Sequence, residues 1–280
     1  MSGAALAAVE ESRTQARGGH GLHGTLSRTL SIAANTYREA IRNRVLYVVL
    51  AFAVFFLFAS RFLGSISVGQ DVKIVKDLGL AGISLFSVLI AILVGTNIVY
   101  QEIDRRTIYT ILSKPVYRYE FVLGKYLGLC GTLATVVVAM SVIFLGQVAF
   151  VGGGGLGAPL LVAIALVILE LWVITSVAVL LSCIASPLLS AVFTFCFFII
   201  GHTIRNLLAL LEYVQNPPAR KLLSLLYFIL PNLDNFNVHR EVVHGLPLPW
   251  DTIGFAVGYG LVYIAAMLTL ASLALGRRDL

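Results

Sequence analysis

Ionisable side chains inside apolar stretches are the residues of this chain whose position could support chemistry. Glu170 lies eleven residues after Pro159 within one such stretch, about 16 Å along a helix axis. A carboxylate at that depth of a bilayer is costly and is a candidate proton or substrate site. The alternative is a structural glutamate at a helix interface. Because Glu170 stands alone and a proton relay needs a second titratable group, we expect hydrogen bonding or packing, without proton movement.

Two further polar residues, Gln147 and His202, fall in other apolar stretches. Such residues usually form hydrogen bonds between helices. Together with Glu170 they make up the candidate translocation or bundle-interior polar set.

A polar run near the C-terminal third could contact a partner outside the membrane. A metal site is not predicted there, because the spacing of its histidines and carboxylates matches no zinc signature. The candidate contact residues are Asn232, Asp234, Asn235, His239, Glu241 and His244.

Enzymatic chemistry is not indicated, since no Ser–His–Asp or paired-carboxylate arrangement stands out. Gly124-Lys125 lacks the upstream glycine and the following Ser or Thr of a phosphate-binding loop. We therefore predict no catalytic residue, metal or cofactor in this chain, and any ATP and magnesium would bind a separate ATPase subunit.

The charged segment from Gln101 to Lys125 separates two apolar stretches and is far longer than a turn needs. Five of the chain's 20 Lys and Arg residues lie in it. Its pattern predicts two short helices broken at Pro115, since proline disfavours a helical conformation in the preceding residue. The first helix would lie on the membrane surface and offer its polar face to a partner; the alternative is a plain solvated loop.

The elements that must position these residues are membrane spans. The chain is 59% hydrophobic and 12% charged, about half the charge of a typical soluble domain. Six apolar runs approach the roughly 20 residues that cross a bilayer: Val45–Leu63, Leu78–Val99, Tyr126–Phe150, Pro159–Ile184, Leu188–Leu208 and Thr252–Leu275. The predicted fold is an all-α polytopic membrane protein, in one six-helix domain over residues 26–280.

Lys and Arg residues set the predicted orientation, because they favour the cytoplasmic side. Thirteen lie in the N-terminal tail, the charged segment and the C-terminus, against seven on the opposite side. Both termini are therefore expected in the cytoplasm, with the chain in the cell inner membrane. The net charge of +6 then follows from topology, and no nucleic-acid partner is predicted.

Three segments outside the spans complete the predicted layout. Residues 1–25 are expected to be a disordered cytosolic tail. Residues 26–44 carry an apolar stripe with arginines off it, which predicts an interfacial amphipathic helix; the alternative is an extension of the first span. Residues 203–252 form an external segment in which Leu222–Leu230, too short to span, predicts a re-entrant or surface helix.

The run from Glu102 to Gly128 closely resembles type-2 ABC exporter permeases, and Pro231-Asn232-Leu233, Phe236-Asn237 and Val242–Gly245 resemble the permease of the transporter that matures nitrous oxide reductase. The resemblance covers about Thr25 to Arg278. It implies a homodimer with two cytosolic ATPase subunits and a coupling helix after the second span. The residues that match the motif are Glu102, Arg105, Arg106, Ser113, Pro115, Arg118, Glu120 and Lys125. The implied coupling residues are these without Lys125, together with the neighbouring Asp104.

Tyr117 departs from that motif, because the family often has Ser or Thr there to form a capping box with Glu120. Either Ser113 caps the following helix, or this helix starts less firmly.

The predicted function is the permease subunit of an ATP-driven exporter. One alternative is a mechanical transmitter of the same architecture that acts on a periplasmic protein without moving a solute. The other is an ATP-independent secondary transporter that uses Glu170 as its proton site.

Overall fold

A computed structural model describes residues 22–66, 71–104, 117–151, 157–213, 231–248 and 250–277 of the 280-residue chain. Throughout these ranges the regular structure is helical, which confirms the predicted fold class. The helices are α1 (Leu22–Ile41), α2 (Arg44–Ile66), α3 (Asp71–Asp104), α4 (Arg118–Phe150), α5 (Ala158–Ile184), α6 (Pro187–Tyr213), a 3₁₀ turn (Leu233–Phe236), α7 (His239–His244) and α8 (Trp250–Arg277).

Six helices in the described part of the chain, α2 to α6 and α8, are long and apolar enough to cross a membrane. They coincide with the six predicted spans. α5 and α3 bury 72% and 67% of their most apolar stretch, whereas α2, α6 and α8 each bury 22%. α5 and α3 therefore form the centre of the bundle, and the other three leave apolar sides open to lipid or to another protein.

The spans alternate in direction and give the bundle two ends. We call the end with Asn43, Arg118, Ser186 and Gly276 the base, and the end with Asp71, Gly157, His239 and Trp250 the pocket end. α4 has 33 residues, about 50 Å at 1.5 Å per residue, and so exceeds the roughly 30 Å hydrocarbon layer of a bilayer.

The N-terminal helix begins earlier than predicted. Residues 22–25, predicted to be part of the disordered tail, form its first turn, whereas residues 1–21 lie outside the described residues. α1 ends at Ile41, and the Asn43 side chain accepts a hydrogen bond from the Val45 backbone N–H at 2.9 Å, next to the start of α2. The chain therefore turns at Asn43, as its polar character predicts, and α1 is not an extension of the first span.

α1 packs along α4 more extensively than an isolated surface helix would. The predicted apolar stripe consists of Leu26, Leu30, Ala33, Tyr37 and Ile41. It is only partly right, because Leu26 and Leu30 are exposed while Ala33 is buried. The face in contact is rotated toward Ile32, Thr36 and Ala40. Small neighbours on α4 select this face, since they allow two backbones to come close.

Residues 231–248, which precede α8, fold back into the bundle. Leu233 and Phe236 in the 3₁₀ turn are each 1% exposed. A Cβ on Gly201 of α6 would lie 2.7 Å from Leu233, and one on Gly260 of α8 would lie 3.2 Å from Phe236. The two glycines therefore leave the space that the 3₁₀ turn fills. The predicted helix Leu222–Leu230 lies outside the described residues.

Candidate functional site

At the base, Glu120 joins the start of α4 to α1. Its side chain is fully buried, and Oε1 lies 3.3 Å from Arg28 Nη2. Oε2 accepts a hydrogen bond from the Tyr117 backbone N–H at 3.1 Å. An ion pair that also satisfies a helix-terminal N–H is strengthened by both contacts. The sequence pattern places Arg28 on the polar side of α1, away from the apolar stripe. In the structure the Arg28 side chain instead points toward α4.

Tyr117 is the N-cap of α4, and its side chain makes no capping hydrogen bond. Ser113, one of the two alternatives for the start of this helix, lies outside the described residues. Glu120, the third residue of the helix, binds the N-cap backbone N–H in the way that the glutamate of a capping box does. The helix start is held by this half of the box together with Arg28.

Arg118 joins the start of α4 to the end of α8. Its Nη1 donates hydrogen bonds to the carbonyl oxygens of Leu275 at 3.2 Å and Gly276 at 2.5 Å. The last carbonyls of a helix have no partner within the helix, and a cation there also complements the helix dipole. The start of α4, where the charged segment ends, is therefore bonded both to α1 through Glu120 and to α8 through Arg118.

Further along, α1 and α4 meet through small residues, in what we call the α1–α4 seam. A Cβ on Gly124 would lie 2.7 Å from Ile32, and one on Gly128 would lie 2.6 Å from the Ala33 carbonyl oxygen. Lys125, 1% exposed, places Nζ 3.6 Å from Glu39. The glycine pair at a spacing of four is the sequence signal for this seam; its pairing with α1 was missed.

The predicted coupling residues fall into three groups in the structure. Glu120 is buried against α1, and Arg118, although exposed, is hydrogen-bonded to the end of α8. Glu102 and Asp104 belong to the last turn of α3, which runs on from the second span without a break. Arg105, Arg106, Ser113 and Pro115 lie outside the described residues, as does the predicted first short helix around them.

In the middle of the bundle, Glu170 of α5 and His202 of α6 come together. His202 Nε2 lies 3.5 Å from Glu170 Oε1, and Glu170 is 3% exposed. His202 Nδ1 lies 3.4 Å from the Phe198 carbonyl oxygen. The expectation that Glu170 stands alone is therefore wrong, because a second titratable group faces it across the α5–α6 interface.

Gln147, the third predicted interior residue, is not part of this pair. It is 7% exposed, and neither atom of its side-chain amide has a hydrogen-bond partner among the described residues. It lies three residues from the end of α4 at the pocket end, whereas Glu170 lies deep in α5.

An open pocket of about 680 Å³ occupies the pocket end between α3 and α7. It contains four of the six predicted partner-contact residues, Asp234, His239, Glu241 and His244, while Asn232 and Asn235 do not line it. Asn232 instead donates its backbone N–H to the Tyr259 hydroxyl at 3.2 Å. Lys73, Asp77 and Arg240 add further charges, so the lining carries both signs.

His239 is the titratable group of this pocket whose environment most alters it. Burial lowers its pKa below the ordinary value, and the nearby Asp77 and Glu241 carboxylates only partly offset this. His239 is therefore neutral under conditions in which a free imidazole is partly charged. Among the described residues no group of three or more His, Cys, Asp or Glu could hold a metal ion.

The six candidate spans among the described helices define the class as polytopic membrane proteins. A family model described as ABC-2 family transporter protein matches residues 30–280. The chain therefore belongs to the ABC-2 transporter family as a membrane component, which is not itself catalytic. No curated protein gives a significant match.

Proposed function

We propose that this protein is the permease subunit of an ATP-driven exporter, in which the base receives motion from a separate ATPase. The observation that carries the proposal is the double anchorage of the α4 start. Residues 105–116 enter α4 at Tyr117, and within three residues Glu120 binds α1 and Arg118 binds α8. A displacement of the charged segment would therefore move three helices together.

In this proposal the active unit is a homodimer with two ATPase subunits, which bind the ATP and magnesium. The base faces the cytoplasm, both termini are cytoplasmic, and the protein lies in the cell inner membrane. The second copy would cover part of the apolar sides that α2, α6 and α8 expose, and lipid would cover the rest. ATP-driven closure of the ATPases would pull on the base and shift the relative positions of the spans.

The coupling proposal is tested by exchanging charges in the charged segment. Glu102→Arg with Arg106→Glu should weaken ATPase association by orders of magnitude, because breaking one buried interfacial charge pair costs roughly 2–5 kcal/mol. Co-purification with the ATPase measures this. The matched control, Lys73→Asp with Asp77→Lys, changes two charges that line the pocket at the other end. A double variant of the segment that keeps its ATPase and its coupled hydrolysis contradicts the proposal.

The orientation is tested separately with single cysteines in a background that lacks Cys130, Cys183 and Cys196. An impermeant thiol reagent should label Asn235→Cys from outside and a cysteine in residues 1–21 only after the membrane is opened. Labelling of Asn235→Cys from the cytoplasmic side alone reverses the topology.

The pocket favours a second candidate, a mechanical transmitter that acts on a periplasmic protein. Its mixed charges suit a protein partner, and it is formed largely by the segment that resembles the nitrous oxide reductase branch. Packing and backbone conformation also explain some of the residues in this likeness. Leu233 and Phe236 are buried, and Gly245 ends α7 at φ +67°. Capture of a periplasmic protein that is lost with Arg240→Glu and Glu241→Arg would favour this candidate over solute export.

A further inference from the structure

Glu170 and His202 lie at the same depth of the bundle. Glu170 is fourteen residues before the end of α5 and His202 fifteen after the start of α6, so both stand roughly 21–22 Å from the turn at Ser186. The two helices form a hairpin, and this matching depth brings the side chains to 3.5 Å. The His202 ring also packs on Phe198, with ring centroids 4.6 Å apart.

The hydrogen-bond contacts of Glu170 and His202 indicate which of their atoms carries the shared proton. Nδ1 of His202 faces the Phe198 carbonyl oxygen, which accepts a hydrogen bond from an N–H. Nε2 then presents its lone pair to Glu170, and a protonated Glu170 carboxyl can donate to it. The 3.5 Å separation exceeds the about 2.7–2.9 Å of a charge-assisted bond. Two opposite charges in an apolar interior also carry a large desolvation cost. The neutral acid beside the neutral imidazole is therefore favoured.

Two residues of the pocket lie near this pair. Asp234 acts electrostatically on His202, and His202 acts on His239; both Asp234 and His239 line the pocket. The 3₁₀ turn packs beside the pair, since a Cβ on Gly201, next to His202, would lie 2.7 Å from Leu233, and its Leu233 and Phe236 side chains are buried. Further titratable groups on the described elements that pack against α5 and α6 include Lys73, Lys76 and Asp77 on α3, Tyr126 and Cys130 on α4, and Tyr259 and Tyr263 on α8, while α5 itself carries Cys183.

We infer that Glu170 and His202 form a proton-binding pair inside the bundle, which holds one proton on the Glu170 carboxyl and exchanges it with the pocket through Asp234 and His239. In the exchange, the Glu170 O–H bond breaks and His202 Nε2 takes the proton. The imidazolium then gives a proton to the Asp234 carboxylate or to the neutral His239 imidazole, and that group releases it to water in the open pocket. Glu170 stays ionised until a proton returns by the same groups. The 3₁₀ turn limits how readily water reaches the pair.

Infrared spectroscopy of the full chain in lipid nanodiscs tests the inference without any ATPase. Wild-type protein should show the carbonyl band of a protonated carboxyl near neutral pH, and the band should shift when glutamate carboxyls carry heavy carbon. Glu170→Gln should lose the band. His202→Gln should keep it but shift its position, because the hydrogen-bond acceptor has changed. The isotope shift needs no substitution and so does not depend on a variant folding.

Exchange into deuterated water tests the route. The shift of the band should become slower in Asp234→Asn and in His239→Gln, while His244→Gln, an exposed histidine of the same pocket, should exchange as the wild type does. A spectrum without a glutamate-dependent band means that Glu170 is ionised and overturns the proton-binding pair. Unchanged exchange in both Asp234→Asn and His239→Gln overturns the route. Because neither measurement involves transport, a failed coupling proposal would leave both results standing.

Discussion

Among the residues whose burial the structure describes, two glutamates of the long helices are buried, Glu120 and Glu170, and their surroundings differ. Glu120 at the base has one oxygen on Arg28 and the other on a backbone N–H. Glu170 in the middle of the bundle faces a single histidine at 3.5 Å, and its Oε1 has no hydrogen bond in the described residues. A carboxylate with a cation and an N–H is stable in its charged form, whereas one facing a neutral acceptor is stable when protonated. The first suits a permanent link and the second suits a change of protonation.

This difference matches what each region is proposed to do. The base transmits displacement, so its contacts should persist through the cycle. The α1–α4 seam adds close backbone packing at Gly124 and Gly128 and the Lys125–Glu39 pair to the Arg28–Glu120 link. The interior pair has few polar contacts to break, and the 3₁₀ turn packs beside it at Gly201.

The largest effect should come from removing the permanent link. Glu120→Ala leaves Arg28 without this partner and also deprives the Tyr117 N–H of its acceptor, so it should cost about 3 kcal/mol of stability. Arg28→Ala should cost less, because Arg28 is 26% exposed in its side chain and Glu120 retains the N–H. Thermal unfolding in detergent measures both. Equal losses for the two variants would mean that the helix cap contributes nothing.

The next largest effect should come from the α1–α4 seam. Gly128→Val places side-chain atoms where the Ala33 carbonyl oxygen and Thr36 already lie, and overpacking of this kind costs about 1–3 kcal/mol. α1 should detach, and trypsin should cut at Arg38 or Arg42 faster. Gly146→Val, in the same helix with nothing within 4 Å of its Cβ, is the matched control. Unchanged proteolysis of Gly128→Val would show that α1 is not held by the seam.

Much of this architecture follows from sequence, because span length and apolar runs are set by the membrane itself. The turn at Asn43 and the start of α4 follow from local polar residues and proline. The contact partners do not follow in the same way. Which face of α1 packs depends on glycines almost a hundred residues away, and the pattern of Leu26 and Leu30 favours the wrong face. The Glu170–His202 pair is predictable in principle, because both residues lie at equal distances from the Ser186-Pro187 turn between two antiparallel spans. The prediction that Glu170 stands alone does not use this spacing.

A smaller effect is expected when Glu170 is made permanently neutral. Glu170→Gln should change stability by no more than about 1 kcal/mol, because an acid that is already neutral is replaced by a neutral group of the same shape. Glu170→Ala should cost more, since it also leaves a cavity. Thermal unfolding at neutral pH compares them. A large loss in Glu170→Gln, similar to that in Glu120→Ala, would show that Glu170 is charged and would remove the contrast between the two glutamates.

The smallest effect should be the pH dependence contributed by His239. Its pKa is lowered in the folded protein by burial, so on acidification the unfolded chain takes up this proton first. Stability therefore rises with pH wherever the unfolded state binds more protons. The contribution is complete above the ordinary histidine pKa of about 6.5 and declines as the pH falls toward the lower folded value.

Unfolding measured from pH 7.5 down to pH 5 should accordingly show a shallower loss of stability in His239→Gln than in the wild type, with His244→Gln as the control at an exposed position. Because the Asp77 and Glu241 carboxylates oppose the shift, Asp77→Asn should steepen the loss while His239 is present and should add little once His239 is replaced. A wild-type profile that is flat over this range would contradict the lowering of the His239 pKa by burial.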